Sequence, residues 1–184
     1  MFACRFPKTL AAAVVSLLCW QGAAGAVVYH SKQEALELAF PGAERTEAHD
    51  YFLSPEQRTR IEGLAKAPLE SDLVTVYTAS FANGQASGFA LFDTHVVRTL
   101  PETFLIVLSP QGAVAGTHLL AFHEPTEYAP SSRWLNLFLG RMAGDGLRVG
   151  SGIAAISGSP LSSRAVAASI ARAVAIHSVL LQEH

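Results

Sequence analysis

The stretch LVTVYTASFANGQASGFALFD, residues 73–93, decides the fold. Its opening residues, LVTVYTASF (73–81), alternate apolar and polar side chains, the period of a strand with one buried face. Asn83-Gly84 is a strong hairpin-turn signal, and ASGFALFD (86–93) returns as the partner strand. A second hairpin follows. TFLIVL (103–108) runs into Ser109-Pro110-Gln111-Gly112, where Ser, Pro and Gly suit the first, second and fourth places of a type I turn, and VAGTHLLAF (114–122) comes back. The expectation is an antiparallel meander of about four strands.

Helical signals lie on both sides of this sheet. SKQEALELAF (31–40) opens with Ser31 and Glu34 at capping-box spacing and is stopped by Pro41-Gly42. SPEQRTRIEGLA (54–65) offers Ser54 as a cap, Pro55 at the first helical position and Gln57 to reach back. Neither has a strong apolar face, so both are expected on the surface. SSRWLNLFLGR (131–141) predicts a short helix with Trp134, Leu135, Phe138 and Leu139 on one side. From about Pro160 a single long helix carries Val166, Ile170, Val174, Val179 and Leu180 as a stripe to set against the sheet. The fold class is therefore α+β: an antiparallel β-meander packed by N-terminal helices and a long C-terminal helix.

The first 26 residues stand apart. Arg5 and Lys8 form a basic start, LAAAVVSLLCW is a short apolar run, and Ala24-Gly25-Ala26 is a small-residue cleavage pattern, together a secretory signal peptide cut after Ala26. Residues 27–184 are then one exported domain, periplasmic or otherwise outside the cytoplasm. Both cysteines, Cys4 and Cys19, fall in the signal segment, so the rest of the chain has no thiol for a disulfide, a thiolate-bound metal, an iron–sulfur cluster or a c-type haem. Of the 13 basic and 15 acidic residues, only two basic ones lie in that segment, leaving a formal charge of −4 on the remainder. An acidic chain without a basic run argues against a nucleic-acid partner. No second apolar stretch reads as a membrane span.

The chemistry-bearing stretch is ISGSPLSSRAV, residues 156–166, a glycine-centred polar loop opening into the last helix. Two readings share its residues. In one, Ser159 caps the helix, Pro160 takes the first helical position, and Ser162 or Ser163 satisfies first-turn donors. In the other, the helix end offers free N–H groups and partial positive charge to a phosphate, Gly158 lets the backbone approach, Ser157, Ser162 and Ser163 donate hydroxyls, and Arg164 adds charge. Ser157, Gly158, Ser159, Leu161, Ser162 and Ser163 are the candidate cofactor-binding residues. The seven histidines show no metal-ligand spacing, and no metal is expected. His123-Glu124 reads as a satisfied polar pair, and His177 as a core or helix-end residue. No G-x-S-x-G elbow is present to anchor a serine hydrolase.

Four stretches together, YFLSPEQRTRIEGLAKAPLESDLVTVYTA (51–79), FDTHVVRTLPETFLIVLSPQG (92–112), LLAFHEPTEYAPSSRWLNLFLGR (119–141) and GIAAISGSPLSSRAV (152–166), resemble the FMN-binding domain family, the flavin-carrying periplasmic domains of sodium-pumping quinone reductases and Rnf complexes. The resemblance runs from about Tyr51 to Ala173. It implies an exported α+β module that carries FMN and passes electrons beside a membrane-associated redox complex or another envelope electron-transfer protein. In that family FMN is joined through its phosphate to the threonine of an Asp-x-x-Ser-Gly-Ala-Thr pattern. Here the serine and glycine fall on Ser157 and Gly158, but the aspartate falls on Ala154, the alanine on Ser159 and the acceptor threonine on Pro160. Proline has no hydroxyl, so the resemblance implies a non-covalent flavin. An electron carrier or accessory protein is expected rather than a turnover enzyme, and the alternative is a cofactor-free interaction or assembly module of the same fold in the cell envelope. His95, Arg98, Glu102 and Thr103 lie in one of the matching stretches and read as exposed strand-end residues.

Overall fold

The computed structural model describes residues 27–28 and 31–182. The signal peptide read at 1–26 and its cleavage point lie outside the described residues. The elements run β1 (Val27–Val28), α1 (Lys32–Ala39), β2 (Arg45–Phe52), α2 (Pro55–Ala65), β3 (Leu73–Ser80), β4 (Ala86–Val97), β5 (Leu100–Leu108), β6 (Val114–Phe122), α3 (Ser132–Leu135), β7 (Arg148–Val149), β8 (Gly152–Ile153) and α4 (Pro160–Leu180). The class is α+β.

The sheet has six antiparallel strands in the order β1-β6-β5-β4-β3-β2. Four of them, β3 to β6, form the meander expected from the two hairpins. Two were not legible: β1, and the edge strand β2, whose RTEAHDYF has no buried residue on either face. That segment becomes a strand because β3 offers it a free hydrogen-bonding edge, paired from Arg45↔Ser80 to Phe52↔Leu73. β4 also runs past Asp93 to Val97 and turns back at Arg98-Thr99, with Arg98 at φ +56. This adds a third hairpin to the meander.

Strand alternation splits the core between two faces. Val74, Val76, Leu91, Phe104, Ile106 and Leu108 face α2 and α4, while Tyr77, Ala79, Ala90, Leu105, Val107 and Leu120 face Ala35 and Phe40 at α1. β5 is therefore covered on both sides, and its residues from Phe104 to Leu108 are all buried. The stripe of α4 is buried as expected. By length and hydropathy this 21-residue helix meets the criterion for a membrane span, contrary to the sequence reading, yet 72% of its most apolar window is buried inside the protein. It is a core helix.

Both N-terminal capping boxes form, Ser31 with Glu34 and Ser54 with Gln57. The helix at 131–141 is shorter than predicted: α3 passes into a 3₁₀ turn at Asn136–Phe138, which buries Trp134, Leu135 and Phe138 but turns Leu139 out to solvent. The Ser109 turn closes as read, with Gly112 N–H donating to Ser109 O at 2.9 Å. Gly112 has φ +84, and a Cβ there would run into the imidazole of His177, itself buried edge-on against Phe89. Gly112→Ala is thus expected to lower the unfolding free energy by about 2 kcal/mol through backbone strain and overpacking, read as a lower urea midpoint at unchanged slope.

Candidate functional site

The loop before α4 is fixed from outside. Trp134 Nε1 donates to Ala154 O at 2.7 Å, and Ser159 N–H closes a turn onto Ile156 O at 3.1 Å. Ser157 and Gly158 are exposed, Gly158 has φ +83, and nothing lies within 4 Å of where its Cβ would be. The backbone is therefore approachable at this point.

Ser159 does not do what its position suggests. Its φ and ψ, −132° and 58°, are not those of a capping residue, and its hydroxyl donates instead to Tyr128 O at 3.1 Å. No side chain caps α4. Ser31, Ser54 and Ser131 each cap their helices, so the difference belongs to this loop. Pro160 at the first helical position has no N–H, and Ser163 N–H already reaches Ser159 O. The donors left at the helix end are the backbone N–H groups of Leu161 and Ser162. Ser163 is fully buried and its Oγ donates back to Ser159 O at 2.9 Å, while Ser162 is buried and Leu161 exposed. Of the six candidates, Ser157, Gly158 and Leu161 are exposed; the hydroxyls of Ser159 and Ser163 are engaged by the protein's own carbonyls. Arg164, on the next turn, is exposed. Tyr128 lies beside the loop, with the Arg98 guanidinium 5.5 Å from its ring centre.

A second constellation escaped the sequence reading. Asp93 and His95 are two apart on β4, on the face turned to α4; Ser169 and Arg172 are three apart on α4. Asp93 Oδ1 lies 2.9 Å from His95 Nδ1 and accepts from Ser169 Oγ at 2.7 Å, while Asp93 Oδ2 accepts from Arg172 Nη2 at 2.8 Å. On the other side of the ring, His95 Nε2 is 3.4 Å from Glu102 Oε2, an ion pair without hydrogen-bond alignment. The β4–β5 register sets Glu102 directly opposite His95.

His95 and Glu102, read as exposed strand-end residues, are 6% and 0% exposed. The correction follows from the longer hairpin: continuing β4 to Val97 places both on the α4 side of the sheet rather than at a strand end. Arg98 sits in the turn, and Thr103 shares a hydroxyl contact of 3.0 Å with Thr94. His123 also differs from its reading, since its Nδ1 meets Pro101 O at 3.0 Å rather than Glu124.

Burial works against an imidazolium at His95, but the hydrogen bond to Asp93 and the negative charges of Asp93 and Glu102 outweigh it and raise its pKa to about 9. Burial likewise opposes ionisation of Asp93, yet His95, Arg172 and Ser169 hold its pKa down to about 2. The group is thus two cations and two carboxylates held across the sheet–helix seam. Ser169 Oγ touches Asp93 and His95 Nδ1 while also reaching Ala165 O, and it is buried, so it is not placed as a nucleophile. Among the described residues, no three His, Cys, Asp or Glu side chains are grouped to hold a metal ion. No family model matches this chain, and no curated protein matches it.

Proposed function

We propose that the chain is an exported FMN-binding-like electron-transfer domain that holds its flavin without a covalent bond, the phosphate resting on the start of α4. The observation that carries this reading is the missing cap. The N–H groups of Leu161 and Ser162 end a 21-residue helix with no side-chain acceptor, where the helix dipole favours negative charge. Exposed Ser157 and open Gly158 adjoin them, and Arg164 adds a cation. These groups fit a phosphate dianion, which binds by charge-assisted hydrogen bonds. Bound flavin supplies the electron transfer; the protein sets its position and surroundings. The donor and acceptor would be a membrane-associated redox complex or another envelope electron carrier.

The test is the visible absorbance of the exported protein before and after acid precipitation. Yellow supernatant supports the reading, and a yellow pellet would mean a covalent flavin. Absence of colour, together with no response to added FMN, overturns it. Restoring the acceptor makes a complementary prediction. Ala154→Asp combined with Pro160→Thr, coexpressed with a flavin transferase, is expected to gain the mass of FMN, while the parent chain gains none.

A second reading, a cofactor-free assembly module of the cell envelope, is favoured by two particulars. Pro160 and Ala154 remove the acceptor and the acid, and the hydroxyls of Ser159 and Ser163 are turned inward to carbonyls. A colourless protein that does not bind FMN supports this module.

A further inference from the structure

β3 and β4 are hydrogen-bonded only from Tyr77↔Ala90 to Ser80↔Ala86. Beyond Tyr77 they diverge. Residues 73–76 remain paired to β2, residues 91–97 remain paired to β5, and the two inner edges face a gap. A cavity of about 320 Å³ fills this fork. Its apolar wall is Val74, Leu91, Ile106 and Ile176, and its aromatic side is Tyr77 and Phe92.

The polar groups of the fork have unequal capacity. Asp93 already receives His95, Ser169 and Arg172. Every hydrogen bond that Arg172 makes among the described residues comes from Nη2, so Nε and Nη1 have no acceptor among them. Lys32 Nζ stands over the aromatic side, 4.6 Å from the Tyr77 ring centre and 5.3 Å from that of Phe92, with no ion-pair partner among the described residues. Glu70, the other carboxylate on the lining, is exposed. What is missing is an anionic acceptor. We propose that this fork binds a small carboxylate with a single-ring or branched apolar body, its carboxylate on Arg172 and Lys32 and its body against Tyr77, Phe92 and the apolar wall.

The site is independent of the flavin reading. Arg172 lies twelve residues beyond Pro160, roughly 18 Å along the helix. The test is an amide NMR titration of the full-length protein with phenylacetate and with phenylacetamide, its uncharged counterpart. Phenylacetate is expected to shift amides in residues 73–77, 91–94 and 169–176, and the amide to bind at least about tenfold more weakly, the worth of one charge-assisted hydrogen bond. Arg172→Met should abolish binding, and Lys32→Met, at an exposed position, should weaken it about threefold. No shifts with phenylacetate, shifts confined elsewhere, or equal affinity for the amide overturns the proposal. If Arg172→Met does not fold, Lys32→Met decides: unchanged affinity counts against the site.

Discussion

Replacing Asp93 by alanine is expected to lower the unfolding free energy by about 3–5 kcal/mol at neutral pH, the cost of removing one partner from a buried charge group. The carboxylate holds three donors, His95 Nδ1, Ser169 Oγ and Arg172 Nη2, between 2.7 and 2.9 Å. Without it, the His95 and Arg172 cations face each other across the seam with no shared counter-ion, and one polar group after another is left desolvated. Urea unfolding followed by circular dichroism measures the loss. Thr103→Val, which removes a hydroxyl contact on the opposite face of the same strand pair, should change stability by less than about 0.5 kcal/mol. Similar losses for both variants would show that the seam network is not a special source of stability.

The second large effect is on pH dependence. His95 has a folded-state pKa near 9, above its ordinary 6.5. A raised pKa means the folded state holds the proton more tightly than the unfolded chain, so this stabilisation is fully present below about pH 6.5 and is lost as pH rises through 9. Its size, from a shift of that extent, is of order 3 kcal/mol. Asp93 works in the opposite direction. With its pKa depressed from 3.8 to about 2, it contributes stability above pH 3.8 that disappears as pH falls through 2. Between them these two groups contribute most between about pH 4 and 6.5, while His177, whose pKa burial lowers, takes stability away as pH falls below 6.5. Unfolding free energy is therefore expected to fall from about pH 6.5 toward pH 9. In His95→Gln the alkaline fall should vanish, which assigns it to this ring; a wild-type profile flat from pH 6.5 to 9 would count against an imidazolium at the seam.

Where the residue pattern and the local geometry share one period, the sequence was read correctly. The strand returning from the Ser109 turn covers 114–122 as expected, both capping boxes close, and the Ser109 turn makes its predicted bond, because each depends on atoms within a few residues. β2 was not legible for the opposite reason. A strand with no fully buried residue has no clear alternation to read, and it is defined by the partner edge it joins. The seam network had a faint local signature: Asp-x-His at strand period, and Ser-x-x-Arg at helix period, each place their pair on one face. What joins them is a strand and a helix 74 to 79 residues apart in the chain.

Ser159 shows the limit most clearly. Serine before Pro160 is a good cap by local rules, but Tyr128 O, 31 residues earlier, takes its hydroxyl and leaves the helix end bare. By itself the sequence determined the class of fold, the meander, the buried face of α4 and the absence of a side-chain hydroxyl at position 160, since hydrophobic period and covalent chemistry are carried by the residues alone. Only the tertiary structure decided which polar groups are satisfied, that His95 and Glu102 are interior, that β3 and β4 part around a cavity, and that α4 begins uncapped. Those outcomes depend on competition for hydrogen bonds between segments distant in the chain, and such competition is settled only when the segments meet.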